Sequence, residues 1–373
     1  MRNQMPPKPE SILRQYRWWE QGKKRATEWQ AELCDVFNAS PHALGLVEND
    51  PSPSPLIVST AAPTVADYGD AAYLDKARGD LARLVALDNR FGAADIVRMS
   101  YKFFKSLQNL VGTGAYERSL EKEFNSLIGE VAELTGWLAY DAEIHKLVRL
   151  MNNESLHYTR LAGDRSIELL TLQNSSMHAG ALGRPGEALQ IATSVLAGNY
   201  KLSPRLRTLF LTRKARALAQ AGDESAIGLF DEIESLYLEG VEEGDPHWAW
   251  WIDERELAWH KAMATQALRQ DGLAIVEFEH SVEATAATET RSQYLHRAYL
   301  LQAQVDAALW DDAEATIKSL LPLISEVEST RTKVLLRDAI ARVAAHSRVP
   351  GKIESGIAQL GIALDESDLT EAW

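Results

Sequence analysis

A set of side chains in the middle of this 373-residue chain has the chemistry to hold another chain. Glu133, Trp137 and Tyr140 come first. Gln173, Asn174 and Met177 follow roughly forty residues on, then Arg213 and Arg216, then Trp259 and His260, with Arg297 continuing the series. Aromatic rings bury apolar side chains, Asn and Gln pair with backbone amides, and Arg takes a carboxylate in a planar fork. A short peptide or a protein segment is what such a set would suit. The alternative for Trp137 and Trp259 is packing between neighbouring helices. The segment DPHWAWWIDERELAWH places Trp248, Trp250, Trp251 and Trp259 close together, which suits either a core between hairpins or a binding hot spot.

Covalent and acid–base chemistry have no comparable foothold. The patterns GxxxxGK, GxGxxG, GxSxG and HExxH are absent. The nine histidines, His42, His145, His157, His178, His247, His260, His280, His296 and His346, stand singly. No pair has metal-ligand spacing with a supporting carboxylate. Cys34, the single cysteine, excludes an intramolecular disulfide and a cysteine-rich zinc site, and lies far along the chain from His157. The expectation is a protein with no catalytic residue, no metal and no cofactor, whose histidines are polar helix-face or packing residues. LEGVEEGD reads as a solvated loop.

The elements that must position the first set are helices. Beyond about Asp67, Ala, Leu, Glu and Arg recur at helical spacing, with no alternating strand pattern. Four stretches, AGALGRPGEALQIA, ALAQAGDESAIGLF, QALRQDGLAIVEF and DAALWDDAEATI, share a helix–turn–helix signature. A small residue recurs early in each second helix (Ala188, Ala226, Ala274, then Ala313 or Ala315), with Val148 at that place in the weaker copy TGWLAYDAEIHKLVRL. Another recurs in the middle of each first helix (Gly136, Ser176, Ala215, Ala262). Two helices crossing closely need small side chains there, and Gly or Asp in the turn ends one helix and caps the next. One hairpin cannot bury its own apolar face, so a series at regular intervals stacks into a solenoid whose first helices line a concave surface. Further helical pairs are predicted over YLDKARGDLARLVALDNRFG with AADIVRMSYKFFKSLQNLVG, and over TRTKVLLRDAIARVAAHSRV with KIESGIAQLGIALDE. Roughly seven hairpins result. The unit resembles the tetratricopeptide repeat, although its intervals exceed the family's usual length of about 34 residues. The fold expected is all-α, a superhelix of tetratricopeptide-like hairpins over residues 67–373.

Ahead of it, residues 51–66 carry Pro51, Pro53, Pro55 and Pro63 among Ser and Thr, an extended Pro/Ser-rich linker. Residues 1–50 hold YRWWEQGKKRATEWQAELCDVFNASPHALGL. Its Trp19-Glu20-Gln21-Gly22, basic turn and amphipathic helix with Leu33, Val36 and Phe37 on one face closely resemble the last two helices of a Cro/phage-repressor-type helix-turn-helix domain. Gly136-Trp137-Leu138 with Asp141, and the turn Gly183-Arg184-Pro185, are similar to the actinobacterial regulators that join this domain to tetratricopeptide-like repeats. The resemblance implies a transcription-regulator ancestry and, by likeness to peptide-pheromone receptors, a peptide held in the concave groove. A complete domain of that type has three helices before its Trp-Glu-x-Gly segment, and the residues before Trp19 leave room for the recognition helix alone. A chain start placed downstream of the natural one, a degenerate domain, or completion by another element would each account for this. The expectation is a truncated remnant.

Charge argues the same way. Lys+Arg total 39 against 53 Asp+Glu, a net charge of -14, and such a surface repels phosphate backbones unless a local basic patch intervenes. Arg14, Arg17, Lys23, Lys24 and Arg25 are the candidate DNA-binding residues, with a solvated helix end and turn as the alternative. Trp18, Trp19 and Trp29 read as a small packing cluster. With no signal-peptide core and no apolar run of membrane length, the chain reads as cytoplasmic. The function expected is regulation by repeats that bind a peptide or protein partner, with DNA binding lost or reduced. A DNA-binding regulator acting as a homodimer and a sequestering scaffold without a DNA role are the alternatives.

Overall fold

In the computed structural model the chain is described over residues 68–91, 93 and 96–371. The remnant, the linker, Cys34 and the candidate DNA-binding residues Arg14, Arg17, Lys23, Lys24 and Arg25 lie outside the described residues. Those described form fourteen α-helices. They are α1 (Ala71–Phe91), α2 (Ile96–Gly112), α3 (Glu121–Asp141), α4 (His145–Ala162), α5 (Arg165–Ala181), α6 (Pro185–Ala197), α7 (Pro204–Gln220), α8 (Ser225–Leu238), α9 (Glu254–Ala267), α10 (Asp271–Glu283), α11 (Thr290–Asp306), α12 (Trp310–Ile324), α13 (Thr330–Ala345) and α14 (Gly351–Glu371). No strand occurs among the described residues; a lone bridge joins Gly69 to Tyr116.

Five turns repeat one device. After α3, α5, α7, α9 and α11 a residue with positive φ (Glu143, Gly183, Gly222, Arg269, Ala308) reverses the chain. The next amide then donates to the carbonyl five residues back: Ile144 to Ala139, Arg184 to Ala179, Asp223 to Leu218, Gln270 to Thr265 and Leu309 to Gln304, at 2.8 to 3.0 Å. That bond closes the last turn of the first helix in the Schellman manner and starts the second within a few residues. Only two of the five positions are glycine. Glu143, Arg269 and Ala308 hold the left-handed conformation against a Cβ penalty of about 1–2 kcal/mol, which the packing behind each turn offsets.

That packing uses the small residues. A Cβ added to Gly136 would stand 2.7 Å from Asn152 Oδ1 and 3.5 Å from Met151 Cβ, so α3 and α4 cross there. Ser176 Oγ donates to the Ala188 carbonyl at 2.9 Å across α5 and α6. Ala215 with Ala226, and Ala262 with Ala274, are fully buried. In the fifth hairpin Ala313 is buried and Ala315 exposed, which settles which of the two faces the crossing.

Four first helices start from a side-chain cap. Asp164, Ser203, Asp253 and Ser329 accept the amides of Ile167, Leu206, Glu256 and Thr332. Residues 65–364 form one compact unit. Within it consecutive helices from α1 to α12 pack side by side, α3, α5, α7 and α9 also touch in succession, and α13 packs on both α11 and α3. The first helices therefore turn back on themselves.

Candidate functional site

The first helices share a buried polar chain. Asn174 Nδ2 donates to Glu133 Oε1 at 2.6 Å, and Gln173 Nε2 to Asn174 Oδ1 at 2.5 Å. Arg213 donates to Gln173 Oε1 through Nε (3.1 Å) and Nη2 (2.8 Å). Arg213 also lies against His260 Nε2, which is 2.8 Å from Glu256 Oε1. With Nε2–H donated to that carboxylate, Nδ1 is left to accept from Arg213 Nη1 (3.4 Å) and Arg216 Nη1 (3.3 Å). One continuous set of hydrogen bonds thus joins α3, α5, α7 and α9.

Burial governs its electrostatics. It pushes Glu133 up to about 8, with the charge of Glu130 adding to the rise, so Glu133 is protonated at neutral pH. It brings Arg213 down to about 10 against the pull of Glu256. It drives His260 well below its ordinary value, helped by Arg213 and Arg216, and takes His296 to about 4. Both imidazoles are neutral.

Aromatic contacts carry the chain onward. Arg216 lies over the Trp259 ring at 5.2 Å, and Trp259 stacks on His296 at 5.8 Å and meets Tyr299 edge-on. On the other flank, Asp88 Oδ2 accepts from Trp137 Nε1 (3.3 Å) and Arg291 Nη1 (2.6 Å). Asp141 pairs with Arg291 (3.2 Å) and Arg331 (3.5 Å) and accepts Ser329 Oγ (2.9 Å). Arg331 covers Tyr140 at 4.8 Å and Trp137 at 5.7 Å. Burial raises both carboxylates. At Asp141 Arg291 and Arg331 overrule it and hold the group low, whereas Asp88 stays raised. Two carboxylates from α1 and α3 and two guanidiniums from α11 and α13 fasten the return of α13 to α3.

The nine side chains expected to line an open groove, Trp137, Tyr140, Gln173, Asn174, Met177, Arg213, Arg216, Trp259 and His260, are therefore drawn to one place but fill it themselves. Trp137 and Arg216 are half-buried and the other seven buried. A cavity of only about 10 Å³ remains beside Met177, Arg213 and Arg216, space for about one water. Gln173, Asn174, Arg213 and His260 pair between successive first helices, and Arg331 covers Trp137 and Tyr140 where α13 meets α3. Arg297 donates to Gln293 on its own helix at 2.8 Å. The tryptophan-rich segment divides: Trp248 is buried with Nε1 on Ser166 Oγ at 3.0 Å, while Trp250 is 68% exposed.

Sequence reasoning passed over Asp88, Arg291 and Arg331. A signal was there. Arg205, Arg255, Arg291 and Arg331 each stand second in α7, α9, α11 and α13, where the helix dipole disfavours a cation. Each is held by groups elsewhere: Arg205 by the Ile252 carbonyl, Arg255 by Ser292 Oγ and Glu289, and the other two by the buried aspartates.

Comparison with protein families, with curated proteins and with solved structures returns no match. Among the described residues no group of three His, Cys, Asp or Glu could hold a metal ion, and no helix is long and apolar enough to cross a membrane.

Proposed function

We propose that the chain is a regulatory protein of transcription-regulator ancestry whose tetratricopeptide-like superhelix binds a peptide or protein partner, with DNA binding lost or reduced. One observation supports it above the rest: the hydrogen-bonded run Glu133, Asn174, Gln173, Arg213 and His260 across four first helices. Apolar residues of similar volume would hold those helices at least as well, since buried charges recover little more than their desolvation. Amide and guanidinium groups in a row are what a peptide backbone and a carboxylate bond to. A partner would exchange its own groups for these internal ones as α13 parts from α3.

The test compares the full chain with Asn174→Leu and Arg213→Met. Each is incubated with the cytosolic peptide and protein fractions of the source cells, and bound species are identified by mass. One defined species on the wild type, lost from both variants, is expected. The same species on all three, or nothing on the wild type, refutes the proposal. Gel shifts at low salt against genomic fragments test the DNA clause, and retarded bands there would overturn it.

A further inference from the structure

The first residues of α4 and the end of α5 enclose an open depression of about 400 Å³, lined by His145, Lys146, Arg149, Leu150, His178 and Leu182. That volume lies within the range of small-molecule sites. Leu150 and Leu182 are 46% and 38% exposed there. The charged groups are asymmetric. Arg149 and Arg184 share Glu187, and His145 Nε2 is 3.1 Å from Glu143 Oε2. Lys146 makes no hydrogen bond or ion pair among the described residues. Three cations against two carboxylates leave a positive excess in a chain of net charge -14.

His178 is the second, independent sign. It is 5% exposed, its Nε2 has no hydrogen-bond partner, and its ring lies 5.4 Å from that of His145. A buried polar atom left unpaired is costly, and the ring that carries this one lines the depression. The N-terminus of α4 adds its positive dipole end to the same spot.

We propose that this depression is a binding site for an aliphatic carboxylate, its anionic group taken by Lys146 and His178 Nε2 and its apolar body by Leu150 and Leu182. As the Nε2–H tautomer, His178 donates to the carboxylate without changing charge. Burial, then the charges of His145 and Arg149, hold the ring neutral with a pKa of about 4 in the empty site, Arg184 adding to this and Glu187 opposing it. A bound anion opposes those cations and raises it. The carboxylate can come from a free aliphatic acid or from an acidic side chain beside leucine in a partner's segment. The site stands independently of the first-helix reading.

The test uses the full chain, following the His178 ring by NMR during titration with octanoate, with acetyl-Leu-Glu-Leu-amide and with inorganic phosphate. Saturable shifts with octanoate or the peptide are expected, with the His178 titration moving upward. Tighter octanoate binding identifies a free acid as the source, and tighter peptide binding a partner's side chain. Lys146→Glu should weaken the better ligand on the order of tenfold, the loss of one charge-assisted hydrogen bond, while its unfolding midpoint stays put. Leu150→Ser, also exposed, should weaken octanoate and leave phosphate unaffected. No saturable shift with octanoate or the peptide, phosphate binding as tightly as octanoate, or wild-type affinity in Lys146→Glu overturns the proposal.

Discussion

The interior chain and the depression beside α4 are built from the same residue types, Arg or Lys with His and large apolar side chains, and they differ in how those groups are partnered. In the interior, Arg213 is 3% exposed and His260 fully buried. Both bond to groups from other helices of the row, with Arg213 reaching Gln173 and His260. Beside α4, Lys146 is exposed and His178 Nε2 is bare. Residue type alone does not tell a group committed within the fold from one left open; the identity of the partner does. Interior charges are tied to this chain's own carboxylates and amides, so their first effect is on stability. The depression keeps a charge and a donor uncommitted, so its first effect is on binding.

The largest test of that contrast is Arg291→Ala. It strips Asp88 and Asp141 of their shared guanidinium and leaves carboxylates 3% and 1% exposed with less or no compensation. Removing one partner of a buried ion pair costs about 3–5 kcal/mol, which urea unfolding would register as a large drop in midpoint. A loss under 1 kcal/mol would mean the return of α13 to α3 does not depend on these charges. Nearly as large is Trp248→Ala, at about 3–5 kcal/mol for a buried tryptophan. Trp250→Ala in the same turn should stay within about 0.5 kcal/mol, and equal losses from the two would erase the division of that segment.

These particular residues also show what was legible in the sequence. The crossings at Gly136, Ser176, Ala215 and Ala262 could be read because close approach leaves no choice of side chain, and the spacing repeats. The turns at Glu143, Arg269 and Ala308 could not, since nothing in those residue types announces a left-handed backbone. The projected site was legible as a list. Helical register fixes which residues share a face, but whether they are covered depends on the pairs they form with the next first helix and on α13 meeting α3 through Asp141 and Arg331, far apart along the chain. The depression was invisible for a similar reason. His145 and His178 belong to different hairpins and have no spacing that chemistry requires.

The acid response comes next in size. His178 and His296 titrate near 4 in the folded chain and His260 well below 6.5, against 6.5 unfolded. Below about pH 6.5 the unfolded chain takes up protons the folded chain refuses, so stability falls with pH, by about 1.4 kcal/mol per pH unit for each such His. Glu133, raised to about 8, and Asp88, also raised, oppose this, because they keep protons that the unfolded chain releases. Glu133 contributes stability fully below about 4.5 that is lost as pH rises to about 8. The net loss expected near pH 5 is on the order of 1–3 kcal/mol per pH unit, read from unfolding midpoints in a pH series. Glu133→Gln removes one opposing group and should steepen that slope while flattening the decline with rising pH between about 6.5 and 8. An unchanged slope in Glu133→Gln would show that the interior chain is not held as a buried, protonated network.

The smallest effect is expected from Lys146→Glu. The substitution removes an exposed cation that has no partner among the described residues, and it places an acid in the first turn of α4, where the dipole gains a few tenths of a kcal/mol. Repulsion from Glu143 and Glu187 works against that gain, and exposed charges of this kind exchange only small energies. The two contributions nearly cancel, so the unfolding free energy should stay within about 0.5 kcal/mol of the wild type. If Lys146→Glu instead unfolded as easily as Arg291→Ala, the lysine would be part of the scaffold and the contrast between interior and depression would fail. If stability holds and octanoate affinity drops, the same charge reversal separates the two regions by which of them is open to a ligand without rearrangement.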